Sequence, residues 1–371
     1  MPAEPLSARA LNRALLARQL LLERAEAPAL EVVERLVGLQ AQVPLNPYTA
    51  LWSRLAGFRP EELAGLIERR RAVRTVVMRA TIHLVSAEDC LALRPLMQPV
   101  LEAELARHPE WAPRLRGVDL GPVLDAARAA LAERPRTPAQ LRAVMEERFP
   151  GLDAAALVGA CRGHLALVQV PPRGVWGRTG QVTLTTAEAW LGREQAAAPS
   201  IDEVVMRYLG AFGPATAADA AAWSRLPGMR PVLERLRPRL RTFRDERGRE
   251  LFDLPDAPRP DPATPAPPRF LPEYDNVLLS HADRGRIVAD DVRARLSAAG
   301  GVGSGSVLVD GRLAAVWRLE RDGGSGAATL VVTHAGIPRR AAASVAAEGG
   351  RLLGLIAAGA AEREVRLEAA P

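Results

Sequence analysis

Three times along this chain a block of helical periodicity runs into a short β-branched pair, and that recurrence limits the fold more than any other feature. In the first block the apolar residues Leu11, Leu15, Leu16, Leu20 and Leu22 repeat near a helical period. Pro28 divides residues 8–36 into two amphipathic helices. Helical pattern returns at 47–57 and at 60–71, where Pro60 followed by Glu61 and Glu62 suits a helix start. The stretch AVRTVVMRATIHLVS, 72–86, then alternates and predicts one or two strands before a long helix over about 87–107.

The second block predicts helices at about 119–133, 138–149 and 153–163, followed by a strand pair within 165–186. The third opens at Ser200, an N-cap for IDEVVMRYLGAFG, and continues through a helix capped by Thr216. It ends in TFRDERGRELFDL, a hairpin turning at Arg247–Gly248. Helices followed by a strand pair is the order of a winged helix. The chain therefore reads as α+β and mainly helical, with tandem winged-helix (helix-turn-helix) units at 1–115, 116–198 and 199–265. The third runs into PDAPRPDPATPAPPR, 255–269, whose seven prolines make a linker or a stiff strap. Residues 266–371 form a β-containing C-terminal region packed on these units. There VGSGSVLVDGRLAAVWRLE predicts a hairpin with Asp310–Gly311 at the turn, ATLVVTHAG predicts a strand, and an Ala-rich helix ends the chain.

Composition excludes some function classes. The 371 residues are 48% apolar, enough for a substantial core, and aromatics at 4% leave that core to Leu, Val and Ala. All 49 basic residues are arginine, so a concentration of arginine means less here than usual, and a net charge of +6 permits an anionic partner without demanding one. Cys90 and Cys161 lie far apart and read as buried small hydrophobes in a reducing cytosol. ALNRALLARQLLLERA is broken by charges where a signal peptide needs an apolar core, and no run approaches the ~20 apolar residues of a membrane span. The expectation is a soluble cytoplasmic protein without membrane contact.

The five histidines show no metal-ligand spacing, and no metal is expected. Gly301, Gly303 and Gly305 imitate a phosphate loop but lack a strand–loop–helix frame. Ser280, His281 and Asp283 are triad residue types, yet triads assemble in space and their adjacency says nothing. Arg69, Arg70, Arg71, Arg74 and Arg79 stand with no acid between them, and eight arginines lie between Arg230 and Arg249. Each set is either a solvated face or a phosphate-binding surface. His83 alternates with apolar neighbours and shares a face with Thr81, as a structural histidine or as part of a site.

Gln40 and Gln42, in VGLQAQVPLNP, are two amides in an apolar run. On a helix, positions i and i+2 lie about 200° apart and could not act together. Pro44 disfavours the helical conformation at Val43, and in extended chain i and i+2 point the same way. Both amides can therefore converge on one spot at a helix end, either bracing the loop or facing a ligand.

LQAQVPLNPYTALWSRL, TVVMRATIHLVSAED, LPEYDNVLLSHADRGRI and VDGRLAAVWRLE together, in order and over nearly the whole chain, resemble the winged-helix DNA glycosylases of the AlkZ/YcaQ superfamily. Gln40-Ala41-Gln42 matches the Gln-apolar-Gln motif of the AlkZ branch residue by residue, where the YcaQ branch has Gln-apolar-Asp. The resemblance implies three tandem winged helices arranged as a C around a DNA-binding concavity that embraces duplex DNA, with Gln40 and Gln42 catalytic. It also implies a monomeric, monofunctional, nucleoid-associated enzyme without cofactor that excises N7-alkylated purines. Interstrand crosslinks are included, in DNA repair or in self-resistance to alkylating natural products. Arg71, Arg74, Arg79, Thr81, His83, Asn276, His281 and Arg284 are candidate DNA contacts, Asp275 is a candidate without an assigned role, and Ala80 stands where the family commonly has Gly. A crosslinked purine cannot swing far from the duplex, so little reliance on a deep base pocket is expected. The alternative is a non-catalytic winged-helix regulator, since fold does not imply function.

Overall fold

The computed structural model describes residues 5–299 and 303–370. Helices α1 (Ala8–Arg18) and α2 (Ala29–Arg35) lead to a two-residue strand, β1 (Leu39–Gln40). Helices α3 (Asn46–Arg54) and α4 (Pro60–Glu68) follow, then the hairpin β2 (Ala72–Val76) and β3 (Ile82–Ser86), and the long helix α5 (Ala87–Ala106). The second block holds α6 (Trp111–Arg114), α7 (Leu120–Glu133), α8 (Pro138–Arg148) and α9 (Ala154–His164), then β4 (Leu167–Gln169), β5 (Leu184–Thr186) and α10 (Ala187–Leu191). The third holds α11 (Ile201–Phe212), α12 (Ala217–Ser224), α13 (Met229–Leu236) and the hairpin β6 (Arg241–Arg244)–β7 (Glu250–Asp253). The C-terminal region comprises β8 (Arg269–Leu271), α14 (Asp290–Ala299), β9 (Gly305–Val309), β10 (Arg312–Arg321), β11 (Ala328–His334), α15 (Arg339–Ile356) and β12 (Arg363–Ala369).

Local chemistry explains most boundaries. Ser7, Ser86, Asp153 and Ser200 each accept a backbone N–H of the following first turn. Thr137–Gln140 and Thr216–Asp219 form reciprocal capping boxes. Asp310 and Gly311 both adopt positive φ, 47° and 76°, as the two-residue turn between β9 and β10 requires. At Gly305, a Cβ would meet Trp317 Nε1 at 2.2 Å, so only glycine lets that indole lie against the strand and donate to Leu271 O at 2.8 Å.

Four expectations change. The first helix stops at Arg18, because Leu20 turns into the left-handed region at φ 57°, leaving Leu20 and Leu22 outside it. The strand pairs of the first two blocks are joined to each other. They form one sheet in the order β1-β3-β2-β4-β5, since β2 also pairs with β4. Strand β8 and helix α14 lie where the sequence reading assigned no particular element. After α15 the chain ends in β12, parallel to β11, completing a second sheet β12-β11-β10-β9-β8. Of the glycine triplet, Gly301 lies outside the described residues.

Apolar packing links these parts. The largest buried cluster joins Leu15, Val33, Leu84, Tyr208 and Trp223, and so spans the first and third blocks. A second, with Val123, Leu131, Leu141 and Leu157, belongs to the second block alone, and a third packs Phe270, Leu330 and Leu352 between the C-terminal sheet and α15. Arginine does much of the polar joining. Arg9, Arg13 and Arg18 on α1 donate to Pro262, Thr264 and Pro258 carbonyls, which holds the proline-rich strap against the helix. Arg18 also grips Asp253 through two bonds of 2.6 and 2.8 Å, with both side chains fully buried. Glu348, itself buried, receives Arg24, Arg269 and Arg351 and pins α15 to the N-terminal block. No helix among the described residues is long and apolar enough to cross a membrane.

Removing one partner of a buried ion pair leaves the other charge uncompensated. Asp253→Ala should therefore lower unfolding free energy by about 3–5 kcal/mol in urea titration. Glu320→Ala, which breaks only half-exposed pairs with Arg318 and Arg366, should cost no more than about 1 kcal/mol. Equal costs for the two would contradict this reading of the interior.

Candidate active site

Strand β1 lies against β3 with Gln40 opposite His83. The next residue, Ala41, has its backbone fixed from both sides: its N–H donates to Ile82 O at 2.8 Å and its carbonyl accepts from Arg74 Nη2 at 2.9 Å. The segment carrying both glutamines is thus clamped at its midpoint, with Gln40 in the strand and Gln42 at the bend that follows.

Between β2 and β3 the chain makes a tight turn through Arg79, at φ 58° and ψ 17°, and Ala80, at φ 55°. Two consecutive left-handed residues other than glycine are sterically costly. The turn delivers the mostly buried Arg79 guanidinium to three acceptors at once. Its Nη2 donates to Gln40 Oε1 at 2.7 Å and to Asn276 Oδ1 at 3.0 Å, and lies 3.1 Å from His83 Nε2. Its Nη1 donates to Trp223 O at 3.3 Å. His83 Nδ1 sits 3.0 Å from Thr81 O, which places the imidazole proton on Nδ1 and leaves Nε2 to accept from Arg79. Asn276 in turn donates to Gly38 O at 2.9 Å, just ahead of β1 and Gln40. Its neighbour Asp275 is held in a buried fork by Arg54 at 2.8 and 2.9 Å.

Among the described residues no carboxylate is bonded to Gln40, Gln42, Arg79 or His83. Burial, then repulsion from Arg225 and Arg284, brings the Arg79 guanidinium down to about 10. Burial, then the charge of Arg79, pushes His83 down to about 3, so the imidazole is neutral across the physiological range. The site therefore offers amides and an uncompensated cation, without a titrating base.

The two glutamines share the 79–83 neighbourhood but not a partner. Gln40 is buried on Arg79, whereas Gln42 is exposed and accepts only a long 3.3 Å bond from Ile82 N–H. One amide is rigid and the other is free to meet solvent.

The other candidate residues sort by burial. Arg71 and Arg284 are exposed, and Thr81 is half-buried with its hydroxyl on Met78 O. Arg74, His83, Asn276 and His281 are buried, and their side chains bond the protein's own backbone and Arg79. His281 stands apart from the glutamines, its Nε2–H donating to Phe212 O. The arginine-rich run 230–249 is largely paired with acids, Arg230, Arg235, Arg237, Arg247 and Arg249 all bridging carboxylates. Sequence reasoning missed the Arg74 clamp on Ala41 and the link from Asn276 to Arg79, 197 positions apart; neither leaves a local signal.

An amide pair near a buried cation that lacks a carboxylate is compatible with an anionic partner but does not name one. The chain belongs to the AlkZ-like DNA glycosylase family, whose profile matches residues 33–355. It is 29% identical over 333 residues to the interstrand DNA cross-link repair glycosylase of Streptomyces sahachiroi, covering 81% of this chain and 85% of that protein. The solved structure of Streptomyces sahachiroi DNA glycosylase AlkZ superposes with a TM-score of 0.74 at 25% identity, covering 99% of this chain and all of that one. Its substrate is accordingly DNA, and the bond at issue is the one joining base to sugar.

Two measurements check the site's physics. Ala80→Gly removes the left-handed penalty and should raise stability by about 1 kcal/mol in urea titration, with the family's usual residue restored. His83 and His281 both stand at about 3 in the folded protein against 6.5 ordinarily. The unfolded chain therefore takes up protons that the folded one refuses. Stability should fall as pH drops below about 6.5, by up to about 1.4 kcal/mol per pH unit for each histidine. A melting temperature that stays constant between about pH 7 and 5 would contradict the buried neutral assignment.

Proposed function

We propose that the protein is a monofunctional glycosylase that, as a monomer, hydrolyses the N-glycosidic bond of N7-alkylated purines in duplex DNA, interstrand crosslinks included. Gln42 orients the attacking water, and Gln40 holds the sugar–phosphate or that same water. The observation that carries this reading is the clamped Gln40-Ala41-Gln42 segment beside Arg79, with its midpoint held by Arg74 and Ile82.

An amide cannot remove a proton at neutral pH. Alkylation at N7 makes the purine cationic, so the N9–C1′ bond breaks with its electron pair moving onto a base that leaves neutral. Water oxygen bonds C1′, and its proton passes to solvent. What the protein supplies is position and electrostatics, which fixed amide dipoles provide. Gln40 spends its carbonyl on Arg79, leaving its N–H₂ for a sugar or phosphate oxygen. Gln42, only loosely bonded through its carbonyl, can accept from a water.

For duplex binding, the blocks 1–115, 116–198 and 199–265 act as winged-helix units around the DNA, with 266–371 packed on them. Exposed Arg71 and Arg284 supply phosphate contacts, Arg284 from the wall of an open cavity of about 800 Å³ that also holds Arg230 and Arg293. Val43, Leu45 and Tyr274 are exposed apolar side chains on the loops beside Gln42 and Asn276, and Asn46 ties those loops by donating to Glu273 O at 2.7 Å. They are placed to wedge against a base step.

The test is release of 7-methylguanine from a methylated duplex, followed by cleavage at the abasic sites. The Gln40→Ala, Gln42→Ala double variant should lose at least about 10²-fold in rate, while duplex affinity stays within a few-fold. The parental rate in that variant would refute the assignment. A sequence-specific footprint by the parent, without strand cleavage, would favour a regulator instead.

A further inference from the structure

A cavity of about 280 Å³ opens beside Gln42 on one face of the first sheet. Two of its walls are cross-strand neighbours, Arg74 on β2 and Gln169 on β4. Arg74 is 2% exposed, yet its Nε and Nη1 have no hydrogen-bond partner among the described residues. The same holds for Gln169 Oε1 and Arg173 Nε, so four of the six unpartnered buried polar side-chain atoms among the described residues are on residues that line this one cavity. Burial, then the charge of Arg173, brings Arg74 down to about 10, and no carboxylate lines the space. The remaining walls include Ile82, Leu167 and Leu184.

Unsatisfied buried donors and an acceptor cost free energy unless something pairs with them. Apolar walls beside polar atoms fit a planar heterocycle better than a phosphate, and the volume lies near the lower end for small-molecule sites, about 300 Å³. Free arginine N–H groups facing a purine read the O6 acceptor of guanine, where adenine presents a donating amine. We propose that this cavity receives the departing guanine of an N7-alkyl monoadduct, Arg74 and Arg173 donating to O6 and Gln169 accepting from N1–H. These three residues then set a preference for guanine over adenine adducts.

The cavity's charge acts in the reaction's favour. The alkylated base is cationic in the substrate and neutral once its bond to C1′ has broken. An arginine-lined cavity is therefore more complementary to the transition state and product than to the substrate. A crosslinked purine, tied to the opposite strand, stays outside, so the cavity serves monoadducts. The sequence alone favoured a shallow site, and this cavity is the departure from it.

The inference rests on the glycosylase reading, and the experiment separates the two. Gln169 makes no side-chain hydrogen bond with any described residue, so Gln169→Leu should keep the parental melting temperature. Dimethyl sulfate-treated duplex carries both 7-methylguanine and 3-methyladenine, and release of each is followed separately. Parent protein should favour 7-methylguanine, and Gln169→Leu should lower its release about tenfold while 3-methyladenine release holds. In parallel, calorimetry with free 7-methylguanine should show binding to the parent that weakens in Gln169→Leu and in Arg173→Leu. Unchanged selectivity together with no binding of the free base would overturn the cavity's role. If the parent released no base at all the glycosylase reading would fail, while loss of free-base binding in Gln169→Leu would still support the cavity.

Discussion

Arg79 Nη2 is the point on which the site's geometry depends. One nitrogen joins Gln40 from β1, His83 from β3 and Asn276 from the C-terminal region. Behind it, Arg54 fixes Asp275 and so places Asn276. The first and C-terminal parts of the chain are thereby committed to one relative position, and the Gln40 carbonyl to one direction. Each bond is modest by itself, but a buried donor left without partners costs more than the bond contributes. The cluster therefore holds or fails as a unit.

This cation is buried without a carboxylate, which is the costly way to place an arginine. Neutral acceptors offset part of that cost while leaving the positive charge in place. The turn that presents it adds left-handed strain at Arg79 and Ala80. A chain built only for stability would put an acid beside Arg79, as this one does at Arg18 and Arg54. Leaving the charge unneutralised beside Gln40 and Asn276 preserves a positive potential there.

Much of this was legible from sequence, and the limits have physical causes. Helix caps at Ser200 and Thr216 and the Asp310–Gly311 turn depend on neighbours a few residues away, and were read directly. Pro44 and the i, i+2 spacing pointed away from a helix at Gln40 and Gln42, and Gln40 lies in β1, but they could not show that the chain bends at Gln42 or that Arg79 takes one amide and leaves the other free. Pairing of β2 with β4 and of β11 with β12 depends on contacts far along the chain. Arginine concentration was the least informative signal. Without lysine, arginine fills structural as well as surface roles, and Arg13, Arg18, Arg54, Arg74 and Arg94 are all buried at 2% exposure or less. A guanidinium can fork onto carbonyls inside a protein as readily as onto phosphate outside it.

The central claim is that position and fixed charge, rather than a titrating acid or base, carry the reaction. Single-turnover release of 7-methylguanine measured from about pH 6 to 9 tests it most directly. The account predicts a flat profile, because the amides do not titrate and His83, at about 3, is already neutral throughout. A limb in the profile with a carboxylate-like or imidazole-like midpoint, retained after His83→Asn, would show a general acid or base at work and contradict it.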